Sequence, residues 1–388
     1  MTAIVTDAHY RMSVSLIRDL VGADVRVIAC ELDIYDEPVG FACRSVSRRV
    51  RLPKDDYMDA LYTLCEEEFS RLGEKPALLP VGAATLSAVA AQRARFDEVC
   101  ALCIPTTEQL LLFNDKSAVG ALGKYLGIPV PEVFTPQEGE SLEDFAARIP
   151  YPCVVKPLCG EKFGLPAASR YAIVHSDKKL LAAYRRFEEL TGSAPIVQQY
   201  LTGEGCGCSI LAKDGEVLCA ISHRRVREYP ITGGPSSCCE VISNDLLLPA
   251  VQALVRETGY TGVGMFEFKL DAEGAAHLLE VNPRIWGTYP LTRASNSNFS
   301  LCWLHASVGS QLPDYAQPQA VRMVYYPSDL AAGIRYALRG QFKKAFGALR
   351  DRCRKDVKNG LHEASDPKPS RIYLHSLFKK GGRHGNPR

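Results

Sequence analysis

Short apolar runs alternating with helix-spaced segments organise the first 105 residues. The run AIVTD at 3–7 predicts a strand, and a helical pattern over 13–20 follows it. DVRVIACELD predicts a second strand with period-two polarity, PALLPVG at 76–82 a third, and ATLSAVAAQRARF directly after it an amphipathic helix. Strands separated by helices of this length predict right-handed βαβ units and a parallel sheet, a Rossmann-like α/β unit. No G-x-G-x-x-G follows the first strand, which argues against a nicotinamide cofactor: the glycines that let backbone approach a pyrophosphate are missing.

Residues 114–136 read as a helix, an Ile-Pro-Val-Pro break and an extended segment. Pro129 and Pro131 cannot continue a helix, so this stretch connects two lobes. From 151 to 213 the β runs CVVKP, YAIVH, APIVQQYL and GCSILAK surround a single helix over 177–190, which predicts a small α+β unit with an antiparallel sheet. Strands return as VLCAISHRR, GMFEFKLD and AHLLEVNPR, with a helix near 247–258. The last ten residues, rich in Gly, Lys and Arg, predict a disordered end.

With 46% hydrophobic and 23% charged residues in 388, the chain is neither disordered nor collagen-like nor a coiled coil, and its length predicts two or three units. No apolar run approaches the roughly 18–20 residues that span a bilayer, and the start has no signal-peptide layout, so a cytoplasmic protein is expected. The 14 cysteines are scattered without zinc-site spacing and read as reduced small hydrophobes; the Cys100-x-x-Cys103 pair lies in the apolar VCALCIP and reads as buried. The net charge of +2 hides an asymmetry. Residues 341–388 hold thirteen Lys and Arg against four Asp and Glu, a basic tail on an acidic body. Its amphipathic stretch 330–357 predicts either a packing helix with a solvated basic face or a grip on an anionic membrane surface or large anionic substrate.

Four segments carry chemistry. Glu267 on GMFEFKLD and Glu280 and Asn282 on HLLEVNPR sit on two strands joined by a tight turn, so three oxygen donors converge, a set that suits Mg2+ completed by phosphates and water. The alternative is a solvated hairpin face. Lys156 ends an apolar strand before a loop with Gly160 and Gly164, the arrangement of a phosphate clamp, although the spacing is not that of a P-loop. VQQYLTGEGCG offers backbone from Gln199 to Leu201 for an adenine edge and Glu204 for ribose hydroxyls, or simply a β-turn. In SHRRVREYPITGGPSSCCE, His223, Arg224, Arg225 and Arg227 precede a Gly-rich segment that reads as an anion site with a mobile loop, two of the arginines functional and His223 structural, or else as a solvated strand pairing with Glu228 or Glu240.

In this order and spacing, Asp115-Lys116, VVKP at 154–157, VQQYLTGEG at 197–205 and FEFKLD…LLEVNPRIWG at 266–287 resemble the ATP-grasp superfamily, and the HRRVREYPITGGPSS block resembles the D-aspartate ligase-like carboxylate–amine ligases. The resemblance covers residues 1–305. It implies an ATP-grasp fold of mixed α/β and α+β character: a Rossmann-like unit at 1–110 and an ATP-grasp domain at 111–305 with a lid lobe at about 146–205; residues 306–388 match nothing in the family and read, from their own charge and periodicity, as a basic helical extension. The resemblance implies Mg2+, with Mn2+ as the alternative, held by Glu267, Glu280 and Asn282, and ATP phosphates held by Lys116 and Lys156. Gln198, Gln199, Tyr200 and Leu201 would line the adenine pocket and Glu204 the ribose; Arg284, Lys156 and Arg225 would act in catalysis. Where such proteins carry a Glu in the adenine segment, this chain has Gln198-Gln199, which keeps an acceptor without a charge. Asp7, Tyr10 and Arg11 would lie near the acceptor.

The activity implied is amide or peptide bond formation through an acyl-phosphate, from small carboxylate and amine substrates with no nucleic acid, and with a homodimer left open. Two rivals stand beside it. A kinase or carboxylase would share the first step, and a non-catalytic nucleotide sensor would share the binding.

Overall fold

A computed structural model describes residues 1–157 and 171–380. The strand Thr2–Val5 is buried along its whole length, as an internal strand of a parallel sheet must be. It pairs in parallel with Arg26–Leu32 and Ala77–Leu79, and the four-stranded order is Arg48–Leu52, Arg26–Leu32, Thr2–Val5, Ala77–Leu79. Side chains alternate between two cores: Val5, Ala29 and Leu79 meet Leu16 and Leu20 of helix Arg11–Gly22, while Ile4, Ile28 and Leu78 meet Leu61 and Leu64 of helix Tyr57–Leu72.

Two details depart from expectation. The edge strand Arg48–Leu52, RRVRL, escapes an apolar pattern because its solvent-facing arginines are the charged residues that keep sheet edges from pairing with other chains. The helix expected over ATLSAVAAQRARF is two, Ala83–Ala91 and Arg93–Val99, with the break at Gln92.

The connector follows its local code. Thr106 and Gln109 form a reciprocal capping box for helix Thr107–Asn114, and Asp115 accepts from the Ser117 and Ala118 amides to start helix Lys116–Tyr125. A small antiparallel sheet comes next, in the order Val133–Phe134, Ile196–Gln199, Cys153–Lys156, Ala172–Val174. Phe145 of helix Leu142–Arg148 and Leu180 and Phe187 of helix Asp177–Thr191 close its core. GCSILAK, grouped with this sheet on sequence, is not part of it. That strand, Glu204–Lys213, lies inside the large sheet, whose order is Ala276–Asn282, Gly262–Leu270, Glu204–Lys213, Glu216–Glu228, Ser236–Ile242, Arg322–Val324, Val357–Asn359. Its pairs are antiparallel except the last, which is parallel.

The C-terminal region is no appendage. It adds two strands to the large sheet, and helices Ser328–Leu338 and Phe342–Arg352 fold back on each other about Gly340, so the single stretch expected at 330–357 is a helical hairpin followed by the strand Val357–Asn359. A Cβ on Gly333 would stand 2.9 Å from that of Ala348, which is why the two helices can approach so closely. Helix Lys368–Lys380 runs into the end expected to be disordered; residues 381–388 lie outside the described residues. Arg18 reaches from the first unit to Asp366 at 2.9 Å and to the Leu361 carbonyl at 2.7 Å, and Arg293 bridges Asp19 and Glu363, so the tail ties the two units together.

Beneath the hairpin Arg227, 2% exposed, donates to Asp329 at 2.8 Å and to Asp351 at 2.9 Å, and Ser237 adds a bond to Asp329. Arg322 holds Asp351 from the other side at 2.9 Å and reaches Glu240. Arg227→Gln leaves two buried carboxylates short of a counter-charge and should cost about 3–5 kcal/mol. Hydrogen exchange should then show the helices at 328–352 opening while the parallel sheet stays protected.

Candidate functional site

Register places the chemistry. In the pairing of Gly262–Leu270 with Ala276–Asn282, Glu267 is directly opposite Glu280, and Asn282 follows two residues later on the same face. The Asn282 amide donates to Glu267 Oε1 at 3.2 Å, and Arg284 Nη2 donates to Asn282 Oδ1 at 3.2 Å. Two carboxylates held side by side repel each other, and cations from three other elements compensate. Lys116 lies 3.2 Å from Glu280, Arg225 donates to Glu267, and Lys156 closes the end of the small sheet.

The electrostatics follow. Burial holds the Glu267 carboxyl above its usual range, against the pull of Arg225 and with a further push from Glu280. Burial would do the same to Glu280, but Lys116 and Lys156 overcome it and bring that carboxyl down to about 2. Lys156 itself is brought down to about 8, mainly by burial; Glu280 opposes the shift and Lys116 adds to it. Arg225 is held above its ordinary value, chiefly by Glu267.

Among the described residues no three His, Cys, Asp or Glu side chains gather into a metal cluster. The site offers two carboxylates and one amide oxygen. That set fits a hard divalent cation that draws its remaining ligands from phosphate and water, and it does not fit a soft, closed metal site.

These residues line one cavity of about 1510 Å3, bounded by the first unit, the small sheet, the large sheet and the C-terminal hairpin. Gln198, Gln199, Tyr200, Leu201 and Glu204 lie on its wall with Lys116 and Lys156. Gln199 is bound by backbone and side chain to Glu132, at 2.8 and 3.2 Å. Glu204 is 3.5 Å from Arg224. Gly203 has φ 129° and a Cβ there would sit 1.7 Å from the Leu270 carbonyl, so only glycine lets the segment cross the end of the Glu267 strand. The Gly160 and Gly164 loop lies outside the described residues.

Several expectations change. Tyr10 and Arg11 line the cavity, with the Arg11 guanidinium 3.7 Å from the centre of the Tyr325 ring, but Asp7 does not. Asp7 is buried and accepts from the Gly82 amide at 2.8 Å and Thr85 at 2.9 Å, fixing the turn after the first strand. The Gly-rich segment after Arg227 is the turn of a hairpin rather than a free loop, because Ser236–Ile242 pairs back on Glu216–Glu228. The three arginines divide: Arg225 faces Glu267, Arg224 faces Glu240, and Arg227 is the buried clamp. His223 is buried and pushed down to about 3 by burial and by Arg225, in keeping with a structural role. Sequence reasoning did not place Arg322, Tyr336, Arg339 or Lys343 at the cavity, although the basic tail carried a signal that its charge had a purpose.

The family "ATP-grasp in the biosynthetic pathway with Ter operon" matches residues 192–328. Among solved structures, the biotin carboxylase domain of Hydrogenobacter thermophilus 2-oxoglutarate carboxylase is 16% identical, with a TM-score of 0.60 over 82% of this chain and 72% of that one. The Campylobacter jejuni biotin carboxylase is 15% identical, with a TM-score of 0.63 over 80% and 72%. An L-amino acid ligase from Bacillus licheniformis is 16% identical, with a TM-score of 0.55 over 81% and 74%. The chain has the ATP-grasp fold. In sequence, a Nostoc biotin carboxylase is 28% identical over 225 residues, a match covering 52% of this chain and spanning about half, 48%, of that relative's length. No helix among the described residues is long and apolar enough to cross a membrane.

Proposed function

We propose that the protein is an ATP-dependent carboxylate–amine ligase. The observation that carries this reading is the paired Glu267 and Glu280 with Asn282, ringed by Lys116, Lys156, Arg225 and Arg284 in one large cavity. Such a ring neutralises phosphate charge and aligns two reactants, and no nucleophilic side chain is needed. Glu267, Glu280 and Asn282 would hold a divalent ion, Mg2+ by preference and Mn2+ as the alternative, which would supply charge neutralisation for the phosphates. Lys116 and Lys156 hold the phosphates, Gln198 to Leu201 receive the adenine, and Glu204 accepts from the ribose.

A substrate carboxylate oxygen attacks the γ-phosphorus, the bond to the β-phosphate oxygen breaks, and ADP leaves. The amine nitrogen of the second substrate then attacks the acyl carbon of the resulting acyl-phosphate, phosphate departs, and the nitrogen gives up a proton to leave an amide. Arg284 and Arg225 stabilise the transferred group, and the lid lobe at about 146–205 closes to keep water from the intermediate. The resemblance of the HRRVREYPITGGPSS block to D-aspartate ligases and the fold shared with an L-amino acid ligase support this choice. The Nostoc relative favours a second reading, a carboxylase in which bicarbonate is the acid that is phosphorylated.

ADP release from ATP and Mg2+ in the presence of paired amino acids and short peptides tests the proposal. Release that needs both an acid and an amine, with a product lighter by one water than their sum, is expected. Release driven by bicarbonate alone would establish the carboxylase, and nucleotide binding with no turnover for any pair would leave a sensor. Glu280→Gln should abolish turnover while the far-ultraviolet circular dichroism is unchanged; near-normal turnover would remove the metal assignment. Lys156 carries its charge below about pH 8 and loses it above. MgADP affinity should therefore be level up to that pH and fall beyond it, whereas Lys156→Arg should stay level to about pH 9 because the guanidinium keeps its proton.

A further inference from the structure

The cavity is larger than the roughly 300–1,000 Å3 typical of one small-molecule site, and its far wall is the C-terminal hairpin. Arg339, Lys343, Lys344, Phe346 and Arg350 all line it. Apart from Glu228, which also lines the cavity, the carboxylates at this end are already committed. Asp329 and Asp351 are taken by Arg227, Asp351 also by Arg322, and Glu240 by Arg224 and Arg322. Arg350 lies 3.5 Å from the same Asp351. Arg339, Lys343 and Lys344 form no ion pair with any described residue; Lys344 stands 5.0 Å from the centre of the Tyr336 ring, whose hydroxyl in turn accepts from the Glu228 amide.

The wall is also rigid. Gly333 and Ala348 lock the two helices together, Gly347 packs where a Cβ would meet Arg227 Nη1 at 3.0 Å, and the buried Arg227 clamp fastens both helices to the sheet. Uncompensated cations on a rigid wall of a cleft concentrate positive potential inside it. Their distance from the chemistry is set by the strand beneath. Arg225 faces Glu267 and Arg227 lies under the hairpin, two residues further along, a step of about 7 Å before the side chains reach out.

Resting on the ligase reading, we propose that Arg339, Lys343 and Lys344 form a recognition subsite for a substrate that carries a second anionic group, carboxylate or phosphate, remote from the carboxylate that is activated. The substrate is elongated, of the size of a short acidic peptide or a phosphorylated sugar acid, with Phe346 against its connecting chain. A compact monocarboxylate leaves the subsite empty.

The test is isothermal titration calorimetry of the full chain saturated with MgADP. Triglutamate is compared with triglutamine, and 6-phosphogluconate with gluconate. One acidic probe should bind at least about tenfold tighter than its neutral counterpart; the peptide pair reports a carboxylate and the sugar-acid pair a phosphate. Replacing all three cations in the exposed triple variant R339S/K343S/K344S should remove that preference and flatten its salt dependence, while the MgADP affinity stays at the wild-type value. Lys343→Gln alone should weaken the preferred probe by about threefold to tenfold and serves as the milder check on folding. Equal binding of acidic and neutral probes, or an undiminished preference in the triple variant, would overturn the proposal. So would binding to phosphatidylglycerol vesicles that the triple variant loses, with no soluble probe preferred, since that would make the wall a membrane surface. Loss of MgADP binding by the wild type would instead defeat the nucleotide reading, and repeating the probe titrations without nucleotide then decides the subsite separately.

Discussion

Two carboxylates facing each other on adjacent strands are the constraint around which this molecule is arranged. Glu267 and Glu280 are brought together by the register of a hairpin, and that register alone is unfavourable. Relief comes from far along the chain: Lys116 from the connector helix, Lys156 from the small sheet and Arg225 from the strand two places away in the large sheet. Each cation belongs to a different element, so placing them requires the connector, the small sheet and the large sheet to meet. The cavity lies where they do.

A second charge cluster does comparable work for the C-terminal region. Arg227 is bound to one aspartate from each helix of the hairpin, so the helices are held to the same strand that carries Arg225. Burying that arginine would be costly without both partners. With them, one strand carries two arginines of opposite purpose: Arg225 beside the paired carboxylates and Arg227 under the wall that faces them. The sequence run HRRVR shows only a block of positive charge. The bulge in the pairing with Ser236–Ile242, which falls between Arg225 and Arg227, helps to aim the side chains in different directions.

The tail closes the arrangement. Its strands Arg322–Val324 and Val357–Asn359 continue the large sheet, and its contacts to Arg18 and Arg293 reach back to the first unit. A region that looked like a basic extension is therefore a structural part of the cavity, whose wall includes its Arg339, Lys343 and Lys344.

Local chemistry was legible in the sequence. The buried strands of the parallel sheet, the helices over 177–191 and 248–258, and the hairpin that pairs Glu267 with Glu280 each follow from short-range rules: apolar periodicity and turn residues. What those rules cannot fix is partnership between distant segments. The strand Glu204–Lys213 carries the same apolar pattern whether it joins the small sheet or the large one, and only the competition for hydrogen-bonding edges in the folded chain assigns it. The arginine-rich edge strand shows only Val50 and Leu52 as an apolar signal. Asp7 carried the same chemical promise as Tyr10 and Arg11, yet the turn directs its carboxylate inward to Gly82 and Thr85. The sequence by itself determined which groups of opposite charge the molecule contains and which short elements carry them. Tertiary structure decided which of those charges cancel and which remain to face the cavity, because pairing energy depends on distances between residues far apart in sequence, 42 positions for Arg225 and Glu267 and 124 for Arg227 and Asp351.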